Sequence, residues 1–172
     1  MFKKNLFFII FFLISFKVNA EQSYAIVDID FLVKNSKAGK FIQSNIKSHN
    51  EKIINEFRSK EKKLKEEEKK LVSQKNILSE EDFKKKTREL NKKILSYTEE
   101  RKKEIDKSNK KKSDALIKLI ANINKIIAEY AEEKKISLLL DKKNIIMAEN
   151  KNDITDEIFE ILNNKISKIK MN

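Results

Sequence analysis

The chain has 172 residues, of which 39 are Lys or Arg and 27 are Asp or Glu, giving a formal net charge of +12. The absence of Cys excludes a disulfide framework and a thiolate metal site, and the single His excludes zinc sites built from two or three histidines. One Gly and no Pro leave few tight turns for a phosphate-binding loop or a set of catalytic loops, so we expect neither an enzyme nor a bound cofactor.

The first 20 residues have the pattern of a cleaved secretory signal peptide. Two lysines near the start precede the apolar run 6–16, and cleavage is expected between Ala20 and Glu21. The apolar run is too short to span a bilayer, so no transmembrane span is expected after cleavage. Because this leader carries three lysines and no acidic residue, its removal lowers the net charge from +12 to +9.

A strand and a long helix are predicted next. Residues 24–30 are rich in β-branched and aromatic side chains, which is typical of a strand. Ser36 is predicted to cap a helix that passes through Gly39, where close packing or helix entry would favour glycine. Four apolar residues then recur at intervals of seven and predict a heptad seam: Phe57, Leu64, Leu71 and Leu78.

A second helix is predicted to return beside the first. The first helix is expected to end near Asn76, which tolerates the left-handed conformation at a helix C-terminus. Ser79, followed by three acidic residues, predicts the start of a helix that runs to about Lys134. Together they predict an antiparallel helical hairpin with its tip near 76–79, extending roughly 60–80 Å.

The distribution of apolar residues separates this hairpin from the rest of the chain. Residues 51–114 contain 37 charged residues in 64 and only 14 apolar ones, whereas 20 of the 34 residues in 115–148 are apolar. The distal hairpin should therefore have a thin seam and be flexible, while the returning helix can bury a core.

The remainder of the chain predicts two more strands and a short helix. The strands are expected at 136–141 and 144–148, and Thr155 is expected to cap a helix that ends near Lys170. The predicted buried face of this helix consists of Ile158, Ile161, Leu162, Ile166 and Ile169. Three strands from one chain leave open sheet edges, so we expect an oligomer.

The predicted fold class is α+β, mainly α. A charged helical hairpin arm (36–114) is expected on a small β-rich oligomerisation body formed by 21–35 and 115–172. The side chains expected to build that body and join its copies are Ile26, Ile29, Ile136, Leu138, Leu140 and Ile146.

Two parts of the sequence resemble a known family. Ala25-Ile-Val-Asp28 with Ser36-Lys-Ala-Gly-Lys40 is similar to the opening of the Skp/OmpH family of periplasmic chaperones. The stretch 136–142 and the motif 153–158 resemble its second signature, and the order of the predicted elements is similar as well. The sequence departs from the family at 149–152, where a turn containing Pro would be expected.

The resemblance implies a homotrimer without ATP, in which three hairpins around a cavity hold unfolded outer-membrane proteins in the periplasm of a Gram-negative cell. The arm residues expected to contact such a client are Phe57, Leu64, Leu71, Phe83, Leu90 and Tyr97, although the heptad residues among them would first form the helix–helix seam. A trimer of mature chains would carry +27, which would also attract anionic lipid or lipopolysaccharide.

Two alternatives come from other classes of protein. A structural coiled-coil spacer of the periplasm or cell surface would share the hairpin but would need no signatures at the chain ends. A nucleic-acid-binding protein would fit the basic charge, since lysines bind phosphate without reading sequence. However, export separates the chain from nucleic acid, and no reading motif is present, so no physiological nucleic-acid partner is expected.

Overall fold

The computed structural model describes residues 23–171, so the predicted signal peptide and its cleavage site between Ala20 and Glu21 lie outside the described residues. The elements in chain order are β1 (Tyr24–Val27), α1 (Ile29–Asn35), α2 (Lys37–Ser73), α3 (Glu80–Glu133), β2 (Leu138–Asp141), two short 3-10 turns (Lys142–Asn144 and Asn150–Asn152) and α4 (Thr155–Lys165). The chain is thus mainly helical with one pair of strands. Within residues 23–171, no helix has both the length and the apolar character needed to cross a membrane.

The two strands are parallel, with Tyr24 opposite Leu138 and Val27 opposite Asp141. Parallel neighbours require a long crossover, and here the crossover consists of α1, α2 and α3. The other edge of β1 is partly occupied, because Ile26 forms a bridge to Asp153. β2 has a single strand neighbour among the described residues, so its outer edge is open.

The predicted first strand is too long by three residues. Asp28 ends β1 because its Oδ1 accepts a hydrogen bond from the Phe31 N–H at 2.8 Å and caps α1. Ile29 and Asp30, predicted in the strand, are the first two residues of α1 instead. Ile29 nevertheless packs against the core, so it belongs to the body as a helical residue.

The junction of α1 and α2 confirms the predicted helix start at Ser36. This fully buried serine ends α1 and caps α2, with its Oγ accepting from the Gly39 N–H at 3.1 Å. A Cβ atom on Gly39 would lie 1.8 Å from the Val33 carbonyl oxygen. Glycine is therefore required for α1 to fold back closely onto the start of α2.

The turn between α2 and α3 differs in detail from the prediction. α2 ends at Ser73 with Gln74 as its C-cap, and Asn76 is not left-handed: among the non-glycine residues in 23–171, only Lys135 has a positive φ. The predicted start of α3 is confirmed, since the Ser79 Oγ accepts from the Asp82 N–H at 3.1 Å. α3 ends at Glu133, one residue before the predicted end.

A single core joins β1, α1, the bases of α2 and α3, and α4. Its fully buried large apolar residues are Leu32, Ile42, Leu119, Ile123, Ile158 and Leu162. The predicted buried face of α4 is confirmed for Ile158, Ile161 and Leu162, but α4 ends at Lys165 and not near Lys170. Ile166 and Ile169 lie beyond the helix and still pack against the core.

Two predictions near α4 are wrong. Thr155 is the first residue of α4, not its cap; Ile154 holds the cap position, and the Thr155 hydroxyl contacts Asp28 and Asp153 instead. The strand predicted at 144–148 does not form. A strand needs a partner for its backbone groups: both edges of β1 are occupied, by β2 and by Asp153, and residues 144–148 do not pair with the open edge of β2.

Candidate functional site: the arm and the signature junction

α2 and α3 form the arm, which we define as residues 50–108. Asn50 Oδ1 accepts from Ser108 Oγ at 2.6 Å, the Phe57 and Tyr97 rings meet edge to face with centroids 5.7 Å apart, and Glu67 pairs with Lys93. Contacts therefore join later residues of α2 to earlier residues of α3. This register determines which side chains of α2 lie beside which side chains of α3, and on which side of the helix pair they lie.

The six predicted client-contact residues lie in or beside the seam of this pair. Phe57, Leu71 and Leu90 are buried, and the other three are half-buried: Leu64, Phe83 and Tyr97. Phe57 is additionally covered by Lys60, whose Nζ lies 5.0 Å from the ring centroid. The structure therefore places these residues where the two helices hold each other, which agrees with their interpretation as a seam.

Ion pairs between the helices lie on one side of the seam. Lys60 Nζ is 2.8 Å from Glu100 Oε2, and Lys93 Nζ is 2.6 Å from Glu67 Oε2. The hydrogen bond and charge of Lys60 lower the pKa of Glu100, and the same contact raises the pKa of Lys60. We call this side the ion-paired face.

Exposed aliphatic side chains lie on the opposite side of the seam. At about 100° per residue, Ile54 is rotated from Phe57 by roughly 60° in one sense, and Lys60 by roughly 60° in the other. On α3, Ile105 is rotated from the buried Leu90 by roughly 60° in the first sense, and Lys93 is rotated from it by roughly 60° in the second. The contacts show that α2 and α3 run in opposite directions. For two such helices that face each other, a rotation in the same sense along each chain leads to the same side of the arm.

We call this second side the apolar face. Its members are Ile54, Val72, Ile94, Leu95 and Ile105, which are 38–62% exposed. They include every exposed large apolar residue that α2 and α3 carry within the arm, residues 50–108; Ile77 lies in the turn between the two helices. Sequence reasoning named none of these five residues as a client contact. Their angular offset from the heptad row was the signal that could have identified them.

The two sequence signatures meet at one place in the body, which we call the signature junction. The Ile154 N–H donates to the Ile26 carbonyl at 2.9 Å, and the Asp28 N–H donates to Thr155 Oγ1 at 2.9 Å. Thr155 in turn donates to Asp153 Oδ1 through both its hydroxyl and its N–H. Residues about 127 positions apart in sequence are thereby fixed together.

An ion pair completes the signature junction. Lys142 Nζ lies 2.6 Å from Asp153 Oδ2, beside a cavity of about 310 Å³. Burial acts to raise the pKa of Asp153, but the hydrogen bonds from Lys142 and Thr155 outweigh it and hold this pKa below its ordinary value. The charged form of Asp153 is therefore the stable form at this junction.

The body residues predicted to build and join the oligomer fall into two groups. Ile26 is buried and Ile29, Ile136 and Leu140 are half-buried within the chain's own fold. Leu138 and Ile146 are exposed, and Met147 beside Ile146 is 89% exposed. No group of three His, Asp or Glu side chains within residues 23–171 could hold a metal ion.

Comparison with known proteins identifies the family. The profile of OmpH, described as "Outer membrane protein (OmpH-like)", matches residues 23–162. The chain therefore belongs to the OmpH-like family, which confirms the resemblance seen in the two signatures.

A solved structure has a similar fold. A crystal structure of a candidate outer membrane chaperone (OmpH-like) from Caulobacter crescentus has a TM-score of 0.81 and 20% sequence identity, covering 87% of this chain and 89% of that one. At this identity the similarity shows the fold alone. No curated protein matches the sequence.

Proposed function

We propose that this chain is a periplasmic holdase chaperone that works without ATP. It binds unfolded outer-membrane β-barrel proteins and prevents their aggregation before membrane assembly. The family supports the chaperone class, and the signal-peptide pattern of residues 1–20 supports export. The single Gly in the sequence supports a mechanism with no nucleotide loop and no catalytic step.

The apolar face is the observation that carries this proposal. Single exposed aliphatic residues are common on protein surfaces, but here they are confined to one side of a highly charged helix pair. Separated aliphatic side chains would each bury a small apolar area against an unfolded chain. Such contacts are individually weak, so many of them can hold a client while each remains readily broken.

The proposed assembly is a homotrimer in which each arm is an antiparallel helical hairpin beside a shared cavity. The open outer edge of β2 and the exposed Leu138, Ile146 and Met147 support an association between bodies. In the trimer, residues 144–148 would gain a strand partner on a neighbouring chain, whereas within one chain they are unpaired. The apolar faces of the arms would then line the cavity and the ion-paired faces would brace each arm.

The net positive charge adds a second kind of attraction. The full chain carries +12, and the mature chain expected after cleavage would carry +9. Lysines along the arms would draw acidic clients and anionic head groups, including lipopolysaccharide, towards the cavity by an interaction that weakens as salt rises.

The test compares the two faces of the arm at neighbouring levels. An outer-membrane β-barrel protein unfolded in urea is diluted without ATP, and light scattering reports its aggregation. The double variant Ile54→Ser with Ile105→Ser should weaken protection by roughly tenfold or more, because two aliphatic contacts are lost. The matched control, Lys60→Gln with Glu100→Gln, leaves net charge and the apolar face unchanged and removes an ion pair from the opposite face.

Protection lost in the apolar-face variant and kept in the control would support the proposal. Equal losses in both variants would contradict the role of the apolar face and point to arm integrity alone. A wild-type chain that folds but never slows aggregation would favour the structural spacer. Circular dichroism of each variant shows whether its helices remain intact.

A further inference from the structure

The apolar segment Ile145–Ala148 projects from the body between two fixed points. On one side, β2 ends at Asp141 and the 3-10 turn begins at Lys142. On the other side, Asp153 is held by its bridge to Ile26 and by its hydrogen bonds from Thr155. The segment between these points carries Ile146, which is 103% exposed, and Met147.

Lys142 and Asp153 connect the two fixed points directly. Their side chains meet at 2.6 Å although they are eleven positions apart in sequence. Asp153 is the less exposed partner, with 24% of its side chain accessible against 53% for Lys142. The contact is therefore anchored on a residue that the body already holds, and it closes the loop 142–153 across its base.

The neighbouring Lys143–Asp141 ion pair differs from the Lys142–Asp153 pair in the part of the chain that it joins. Lys143 Nζ lies 2.8 Å from Asp141 Oδ2, at a similar exposure of the lysine. That contact joins residues two positions apart at the end of β2 and does not span the loop. Two adjacent lysines therefore make ion pairs of similar length, of which only the Lys142 pair closes the loop.

We infer that the Lys142–Asp153 pair is a clasp that positions the Ile146–Met147 tip for contact with a second copy of the chain. This inference rests on the oligomer proposed above. An unclasped loop samples many conformations, and association would then have to order the backbone of the loop as well as bury its apolar side chains. The clasp restricts the loop before association, so Lys142 is a positioning residue and the apolar tip makes the contact.

The signature junction extends the same restraint to the centre of the fold. Thr155 is hydrogen-bonded to both Asp153 and the Asp28 N–H, which lies where β1 meets α1. The first signature, which contains Asp28, and the second, which contains Asp153 and Thr155, are therefore joined by hydrogen bonds. They fix the base of the loop to the strand and helix that begin the body.

The experiment compares three single variants of the full mature chain. Sedimentation velocity over a dilution series gives the concentration at which the oligomer dissociates, and thermal unfolding reports the fold. Lys142→Gln should raise the dissociation concentration by about two- to fivefold with little change in helix content, since it frees the loop at an exposed position. Lys142→Arg should behave as wild type, because it retains the cation.

Lys143→Gln is the matched control, because it removes the same charge from the adjacent residue. It should leave dissociation close to that of wild type. Equal weakening by Lys142→Gln and Lys143→Gln, or no weakening by Lys142→Gln in an oligomeric wild type, would overturn the clasp and leave the proposed oligomer standing. A wild-type chain that stays monomeric at every concentration would overturn both.

Discussion

Phe57→Ala should loosen the arm and leave the body folded. Phe57 is 4% exposed and packs edge to face on Tyr97. It lies outside the core of the body. Phe to Ala substitutions in full cores cost about 3–5 kcal/mol. The seam is one layer thick and can partly collapse, so we expect about 2–3 kcal/mol here, including the lost aromatic pair.

Hydrogen exchange followed by mass spectrometry locates this effect. A local loss of about 2–3 kcal/mol corresponds to roughly 30- to 150-fold faster exchange, confined to amides around Phe57 and Tyr97. Amides of Leu119 and Ile123 in the body core should exchange at the wild-type rate. The control Leu95→Ala, at a position 61% exposed, should leave arm exchange nearly unchanged.

Two results would refute this reasoning. Unchanged exchange at the arm would show that the Phe57 contact does not hold α2 to α3. Acceleration of equal size in the arm and in the body core would show that the two parts unfold as one unit.

Three further predictions concern the body. Ser36→Ala removes the buried cap of α2 and should cost about 1 kcal/mol, measured as a lower thermal midpoint. Gly39→Ala should be far more destabilising, because its Cβ would overlap the Val33 carbonyl oxygen; a wild-type midpoint would contradict the packing of α1 on α2. The pKa of Asp153 is lowered and that of Lys142 is raised, so their pair should stabilise the fold fully between about pH 5 and 9. Its contribution should fall as acid titrates Asp153 and as alkali titrates Lys142, which unfolding midpoints across pH would show as a difference between wild type and Lys142→Gln.

Features set by a few neighbouring residues were predictable from the sequence. The caps at Ser36 and Ser79 and the end of α3 depend on local hydrogen bonds and helix chemistry, so the residue types alone indicate them. The burial of Ile158, Ile161 and Leu162 on α4 was predictable for the same reason, because helical spacing determines it.

Features that depend on distant partners were not predictable in the same way. Residues 144–148 have strand-like composition, but whether they form a strand depends on an open sheet edge beside them. Threonine is a residue type that often caps helices, yet the Thr155 hydroxyl accepts a hydrogen bond from the N–H of Asp28, near the other end of the chain. A single sequence does not show that these two residues meet.

The division of the arm into two faces required the register of α2 against α3. Heptad spacing identifies Phe57 and Leu71 as apolar positions, but burial between two helices makes them seam residues and leaves Ile54 and Ile105 exposed. Only the contacts across the seam show that the exposed residues of both helices lie on the same side.

The apolar face is tested most directly by crosslinking from two adjacent positions. The chain has no Cys, so Leu95→Cys and Ser96→Cys each give one site for a photoreactive probe, about 100° apart around α3. Each labelled protein is mixed with an unfolded outer-membrane β-barrel protein and irradiated. The account predicts strong crosslinking from position 95 and weak crosslinking from position 96. Equal crosslinking from both positions, or stronger crosslinking from position 96, would contradict it.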